Sequence, residues 1–137
     1  DVLREFGLCD QALPHEIMDR AKQAAAASGG TVRETDQRDD ALDGAHVIYA
    51  KEWGSTTHYG DVEGDARLRS QLGGWCVRND WFDRMHADAR FMHCLPVRRN
   101  VAVADEVLDG PRSVVQREAH NRLTVQMAVL HSLLAGP

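Results

Sequence analysis

The sequence predicts an α/β fold, a three-layer parallel sheet with helices on both faces. Three observations carry this. Helix-type and strand-type segments alternate along the 137 residues, the order that builds a parallel sheet. The strand-type runs are short and mostly apolar, as expected where both faces of a sheet are covered. No internal repeat, low-complexity tract or linker divides the chain, so it is one domain or part of one.

The elements follow in order. Asp1-Val2-Leu3 reads like the inside of a strand, and no initiator Met precedes it. The chain is therefore expected to be a piece of something longer. Pro14 to Ser28 is a helix. Pro14 suits its first position, where a missing N–H costs nothing. Ile17, Ala21, Ala24 and Ala25 form a thin apolar face, and Gly29-Gly30 stops it. Thr31 to Glu34 is a short strand. Gln37 to Leu42 is a short helix closed by the turn Asp43-Gly44. Ala45 to Ala50 is an apolar strand. Glu52 to Gly74 is a long polar loop with a helix around Val62 to Leu72; loops of such length are usually functional. Asn79 is a candidate N-cap for a helix over Asp80 to Ala87. Arg90 to His93 is the next strand, ended by Cys94-Leu95-Pro96. Asp105 to Leu108 is a helical turn, and Ser113 to Gln116 a last strand. The final helix runs from about His120 to Leu134, with Leu123, Met127, Leu130 and Leu134 on one stripe.

Composition narrows the function. Twenty-one acidic against 16 basic residues leave a net charge of −5, which argues against a general nucleic-acid binder. The 43% hydrophobic content is that of a globular chain rather than a disordered one. Three cysteines without a C-x-x-C pair do not make a disulfide framework and fit reduced thiols in a cytoplasm. No apolar run approaches the ~18 residues of a membrane span, and no basic-then-apolar leader opens the chain. A cytoplasmic protein with no membrane partner is expected.

Neither glycine-rich nucleotide fingerprint occurs. No H-E-x-x-H exists, and His93-Cys94 has no partner at metal-ligand spacing, so no metal or cofactor is expected. In parallel α/β sheets, ligands bind outside the carboxyl ends of the strands. Two segments qualify. Lys51-Glu52-Trp53-Gly54 follows one strand, and Cys94-Leu95-Pro96-Val97-Arg98-Arg99-Asn100 follows the next. Lys51 is either a snorkelling surface lysine or a point charge for a substrate carboxylate. The second segment is either a strand end with a buried thiol and a solvated arginine pair, or a ligand loop. In the latter, Arg98 and Arg99 add anion affinity, because guanidinium pairs bidentately with carboxylate or phosphate. Arg122 is read in the first turn of the last helix, where a cation is disfavoured unless a ligand accounts for it. Trp53, Trp75 and Trp81 are read as packing residues.

The run from His93 to Asn100, then Asp105 to Val115, then Glu118-Ala119-His120-Asn121-Arg122-Leu123, resembles the carboxyl-terminal part of the transcarbamylases. It is most similar to the branch that acts on acylated ornithines. Tyr49-Ala50-Lys51-Glu52-Trp53-Gly54 resembles that branch's Tyr-Ala-Lys-x-Trp-Gly segment and lacks the Ser-Met-Gly of the ordinary ornithine enzymes. The resemblance implies a Rossmann-like second, amino-acid-binding domain over 1–137. The family's Ser-x-Arg-Thr phosphate loop and His-Pro-x-Gln segment, which belong to the first domain, do not occur in this chain. It further implies that the helix over 120–134 returns to that first domain. The implied reaction is carbamoyl transfer from carbamoyl phosphate to the side-chain amine of N-acetylornithine or N-succinylornithine in arginine biosynthesis, without metal or cofactor, in a homotrimer. The chain alone is then expected to be inactive.

The resemblance also implies residue roles. His93, Cys94 and Leu95 line the site where amine meets carbamoyl carbon, with the Leu95 carbonyl orienting the amine. Arg122 polarises the carbamoyl oxygen, and Lys51 holds the α-carboxylate. Glu52 departs from the small residue common in the branch. Ala102 stands where some acetylornithine enzymes carry a lysine that can become carboxylated. Two alternatives stay open: a non-catalytic domain binding an amino acid or a partner protein, and, less well supported, a response-regulator-like domain without the usual early acidic pair.

Overall fold

A computed structural model describes residues 13–51, 58 and 60–135, except for the side chain at 69, together with the backbone of residues 2–6. The fold is α/β with parallel strands. Strand β1 (Val2–Phe6) precedes helix α1 (His15–Ala27), β2 (Thr31–Thr35) and α2 (Arg38–Leu42). Then come β3 (Val47–Ala50), α3 (Val62–Ser70), 3-10 turns at Gly73–Trp75 and Asn79–Arg84, β4 (Arg90–His93), α4 (Asp105–Leu108) and α5 (Val115–Ala135). β1 lies parallel to β2, Val2 opposite Thr31 and Phe6 opposite Thr35. β3 lies parallel to β4, Val47 opposite Arg90 and Ala50 opposite His93.

Local chemistry explains most boundaries. Pro14 is the N-cap of α1 rather than its first helical residue. At the other end Gly29 takes φ +72°. Its N–H donates to the Ala26 carbonyl, and the Gly30 N–H donates to that of Ala25 at 2.8 Å. This paired closure satisfies carbonyls the helix would otherwise leave open. The packed face of α1 keeps Ala21 and Ala25 of the expected stripe, both half-buried, but Met18 replaces Ile17 on it: Met18 is 4% exposed and Ile17 45%. One step along a helix turns a side chain by about 100°.

Three further expectations change. Residues 79–84 form a 3-10 turn capped by Arg78, with no side-chain cap bond, and Asn79 is not the N-cap. The chain leaves helical geometry because its next amides are taken elsewhere. His86 N–H donates to the Ala45 carbonyl and Arg90 N–H to that of His46, each at 3.0 Å. Ser113 to Gln116 is not a strand: Ser113 makes one isolated parallel bridge to Phe91. Helix α5 starts at Val115, five residues earlier than expected. Strand propensity yields to context readily, and here Val115 is buried as the first residue of the helix.

The core gathers on the β3–β4 pair. Ile48 and Phe91 from the strands meet Trp81, Phe82 and Met85 from the 3-10 turn, with Val103, Val107 and Val115. Phe91 and Val103 are fully buried. This core fixes the direction of β3 and β4, and with it the place where both strands end.

Candidate functional site

β3 and β4 run side by side in the same direction, so Lys51 and Cys94 leave the pair at the same edge. Lys51 is exposed there. Glu52, Trp53 and Gly54, the rest of that motif, lie outside the described residues. On the other strand His93 is buried at 1% exposure, and its Nδ1 accepts the Leu95 N–H at 2.9 Å. An accepting Nδ1 places the neutral ring's hydrogen on Nε2. Leu95 takes φ +52°, a left-handed conformation that costs a branched residue free energy and is found chiefly at functional sites and tight turns. The Leu95-Pro96 peptide is cis. Cys94 between them is a half-buried free thiol.

The loop beyond Pro96 is strapped from within. The Arg99 guanidinium donates to Asp105 at 2.7 Å and to both oxygens of Asp109 at 2.6 and 2.7 Å. Asn100, at φ +58°, donates its side-chain NH2 to the Asp105 carboxylate at 2.8 Å and accepts the Asp105 backbone N–H at 3.1 Å. Hydrogen bonds from Arg99 hold both carboxyls below the usual carboxylate range. The anion role expected for Arg99 is therefore already taken by two internal carboxylates. Ala102 is buried in the same strap.

This loop forms one wall of a cleft of about 720 Å³, within the range of small-molecule sites. It is lined by Leu95, Pro96, Val97 and Arg99 from the loop, by Leu108, Asp109, Gly110 and Ser113, and by Val115, Gln116 and Arg122 from α5. A Cβ on Gly110 would run into the Glu106 carbonyl oxygen, so the turn there needs glycine. Leu95 and Arg122, far apart in sequence, thus face one space. Arg122 lies about two turns into α5, not in its first turn, so the helix-end argument does not apply to it. Lys51, His93 and Cys94 are not among the residues that line this cleft. His93 and Cys94 directly precede Leu95.

Two residues at the strand ends had no sequence assignment. Tyr49, near the end of β3, donates its hydroxyl to Glu118 Oε1 at 2.6 Å. Glu118, in the first turn of α5, accepts the His93 backbone N–H on its other oxygen at 3.1 Å. The bond to Glu118 pushes the Tyr49 phenol well above its ordinary pKa, and the nearby Cys94 adds to the shift. The sequence carried no signal for Glu118, because it placed the start of the last helix at about His120, beyond that residue. Among the described residues no group of three His, Cys, Asp or Glu side chains could hold a metal ion. Among them also, no helix is long and apolar enough to cross a membrane.

Parallel strands ending beside a cleft define an α/β domain of the kind in which ligands bind outside the carboxyl ends of the strands. Comparison with known proteins makes this specific. Residues 7–133 match the family described as aspartate/ornithine carbamoyltransferase, Asp/Orn binding domain. The chain belongs to the aspartate/ornithine carbamoyltransferase family. It is 38% identical over 125 residues to the N-acetylornithine carbamoyltransferase of Xanthomonas campestris pv. campestris, covering 91% of this chain and 37% of that protein. It is 46% identical over 97 residues to the ornithine carbamoyltransferase of Cupriavidus metallidurans, covering 71% of this chain and 31% of that one. A crystal structure of acetylornithine transcarbamylase complexed with acetylcitrulline superposes with a TM-score of 0.84 at 36% identity, over 93% of this chain and 38% of that chain. The chain thus spans well under half the length of the relatives it matches.

Proposed function

We propose that this chain is the amino-acid-binding half of a carbamoyltransferase acting on an acylated ornithine. The observation that carries the reading is the shared cleft of Leu95 and Arg122 at the end of the His-Cys-Leu-Pro strand. The similarity to N-acetylornithine carbamoyltransferases supports it.

The chemistry assigned to these residues is positioning plus electrostatic stabilisation. The neutral side-chain amine attacks the carbonyl carbon of carbamoyl phosphate. A tetrahedral intermediate forms, the C–O bond to phosphate breaks, and the amine nitrogen loses a proton. The Leu95 carbonyl accepts a hydrogen bond from the amine and aims its lone pair, with His93 and Cys94 shaping that turn. Arg122 stabilises the negative charge that develops on the carbamoyl oxygen. Lys51 pairs with the α-carboxylate. A free alkylamine is mostly protonated near neutral pH, so the site must favour its deprotonated form. The other substrate, carbamoyl phosphate, is held by a first domain on this reading, and the 137-residue chain by itself does not turn over. A cytoplasmic homotrimer completes the proposal.

A second acceptor, ornithine itself, is favoured by the 46% identity to an ornithine carbamoyltransferase. The test presents the full-length protein with carbamoyl phosphate and, separately, N-acetylornithine, N-succinylornithine and ornithine. Ureido product with an acylated ornithine is expected. Product from ornithine alone would move the assignment to the second reading, and no product from any acceptor would overturn both.

A further inference from the structure

We infer that Glu118 is a positioning residue of the transfer site, setting the distance between the Leu95 carbonyl and Arg122; this rests on the functional reading above. The argument starts at the outer edge of β4. There Phe91 is satisfied by passing backbone: its N–H donates to the Arg112 carbonyl and its carbonyl accepts the Val114 N–H, both at 2.9 Å. Amides two residues apart on a strand point to the same edge, so His93 N–H is the next in line. The chain turns into α5 at Val115, and among the described residues no strand continues beside His93 on this edge, away from β3. Glu118 supplies the acceptor instead, through Oε2 at 3.1 Å. Its other oxygen accepts the Tyr49 hydroxyl at 2.6 Å. One carboxylate therefore ties the ends of β3 and β4 to the first turn of α5.

The tie reaches both groups assigned to the reaction. On the strand side, His93 Nδ1 holds the Leu95 N–H at 2.9 Å, so the placement of His93 passes to the left-handed Leu95 and its carbonyl. On the helix side, Arg122 stands four residues beyond Glu118, on the same face of α5. Pinning Glu118 thus pins Arg122 in the cleft that Leu95 also lines. Both carboxylate oxygens are already engaged within the protein, which suits Glu118 to holding geometry rather than to exchanging protons with substrate.

The test compares Glu118→Ala, Glu118→Gln and Tyr49→Phe in the full-length protein, reading kcat, KM for the acceptor and amide exchange at His93 and Leu95. Misplacing reacting groups by about 1 Å costs up to ~100-fold in rate. Glu118→Ala is expected to lower kcat by at least about tenfold with a smaller change in KM, and to speed exchange at both amides. Glu118→Gln is expected to recover most of the loss, since its amide oxygen can accept from His93 and its NH2 can reach the phenol oxygen. Wild-type kcat in Glu118→Ala would overturn the inference, as would a Gln variant as damaged as the Ala one, which would assign the effect to charge. If Glu118→Ala does not fold, Tyr49→Phe, at a half-exposed position, decides. A severalfold loss of kcat with faster Leu95 exchange supports the tie, and no change in either overturns it. If the wild type transfers carbamoyl to no acceptor, the functional reading fails, and the exchange data alone then judge the positioning.

Discussion

Replacing Arg122 by alanine separates catalysis from folding unusually well. Arg122 is exposed on α5, a helix whose buried described residue is Val115. Truncating an exposed helical side chain to alanine, the best helix former, changes stability by only about 0.5 kcal/mol or less. Thermal unfolding should therefore be unmoved. A fixed donor aimed at a developing oxyanion is worth on the order of 100- to 1,000-fold in kcat, about 2.7–4 kcal/mol. Arg122 lines the same cleft as Leu95, so on the proposed reading the loss should fall on turnover, with KM for the acylated ornithine changing far less. The assay is steady-state formation of the ureido product by the full-length protein, with unfolding of each variant measured alongside. Arg122→Lys should fall between wild type and alanine, because it keeps the charge but loses the planar fork. Equal losses in kcat and in acceptor binding, or a clear drop in unfolding temperature, would show a structural arginine and refute the reasoning.

Lys51→Met should mainly raise KM for the acceptor, since losing a charge-assisted hydrogen bond of about 1.5–3 kcal/mol is roughly a ten- to hundredfold change; an unchanged KM in folded protein would remove Lys51 from the site. In the 137-residue chain, amides from Leu123 to Leu134 should exchange fast and oligomers should grow with concentration. The reason is that Leu123, Met127, Leu130 and Leu134 are 59%, 61%, 58% and 85% exposed and contiguous apolar surface promotes association; slow exchange in a monomer would sink this. The loop strap should respond to acid. Asp105 and Asp109 are depressed in the folded state by Arg99, so what they contribute is present above their unfolded pKa of ~3.9. It is lost as pH falls through the lower folded values. Arg99→Gln should flatten the stability profile below about pH 4, and an unaltered slope there would count against the strap.

The strand β4 and the turn α4 were legible to the residue, and β3 nearly so. Their apolar runs are bounded by turn formers, and a core strand leaves little room for another outcome. The start of α5 was not legible, because Val114-Val115 favour a strand locally and only the packing of Val115 beside β4 decides for helix. Met18 rather than Ile17 faces inward for a similar reason: periodicity defines a stripe, but the neighbouring surface sets its rotation. The strand-end segments stood out in the sequence because parallel strands deliver their following loops to one side of the sheet, and of those segments Leu95, Pro96, Val97 and Arg99 line the cleft. The Tyr49–Glu118 contact was out of reach, since it joins residues 69 positions apart through side chains that carry no distinctive pattern. The pairing of Arg99 with Asp105 and Asp109 was not foreseen because those partners look like ordinary helix-end acids in the sequence.

The parallel pairing of β3 with β4 also bears on how the site comes into being during synthesis. Parallel neighbours cannot be joined by a tight hairpin, and here the whole stretch from Lys51 to Ala89 separates the two strands. Such distant pairings form slowly, because loop-closure entropy is spent before contacts repay it. The last contributors, Glu118 and Arg122, are also the last translated. A nascent chain halted before Val115 holds both strands yet lacks the Glu118 carboxylate that ties their ends and the Arg122 that lines the cleft. A polypeptide that stops short of Val115 thus has the strand ends and the Leu95 to Val97 wall of the cleft but not the residues that α5 adds to it.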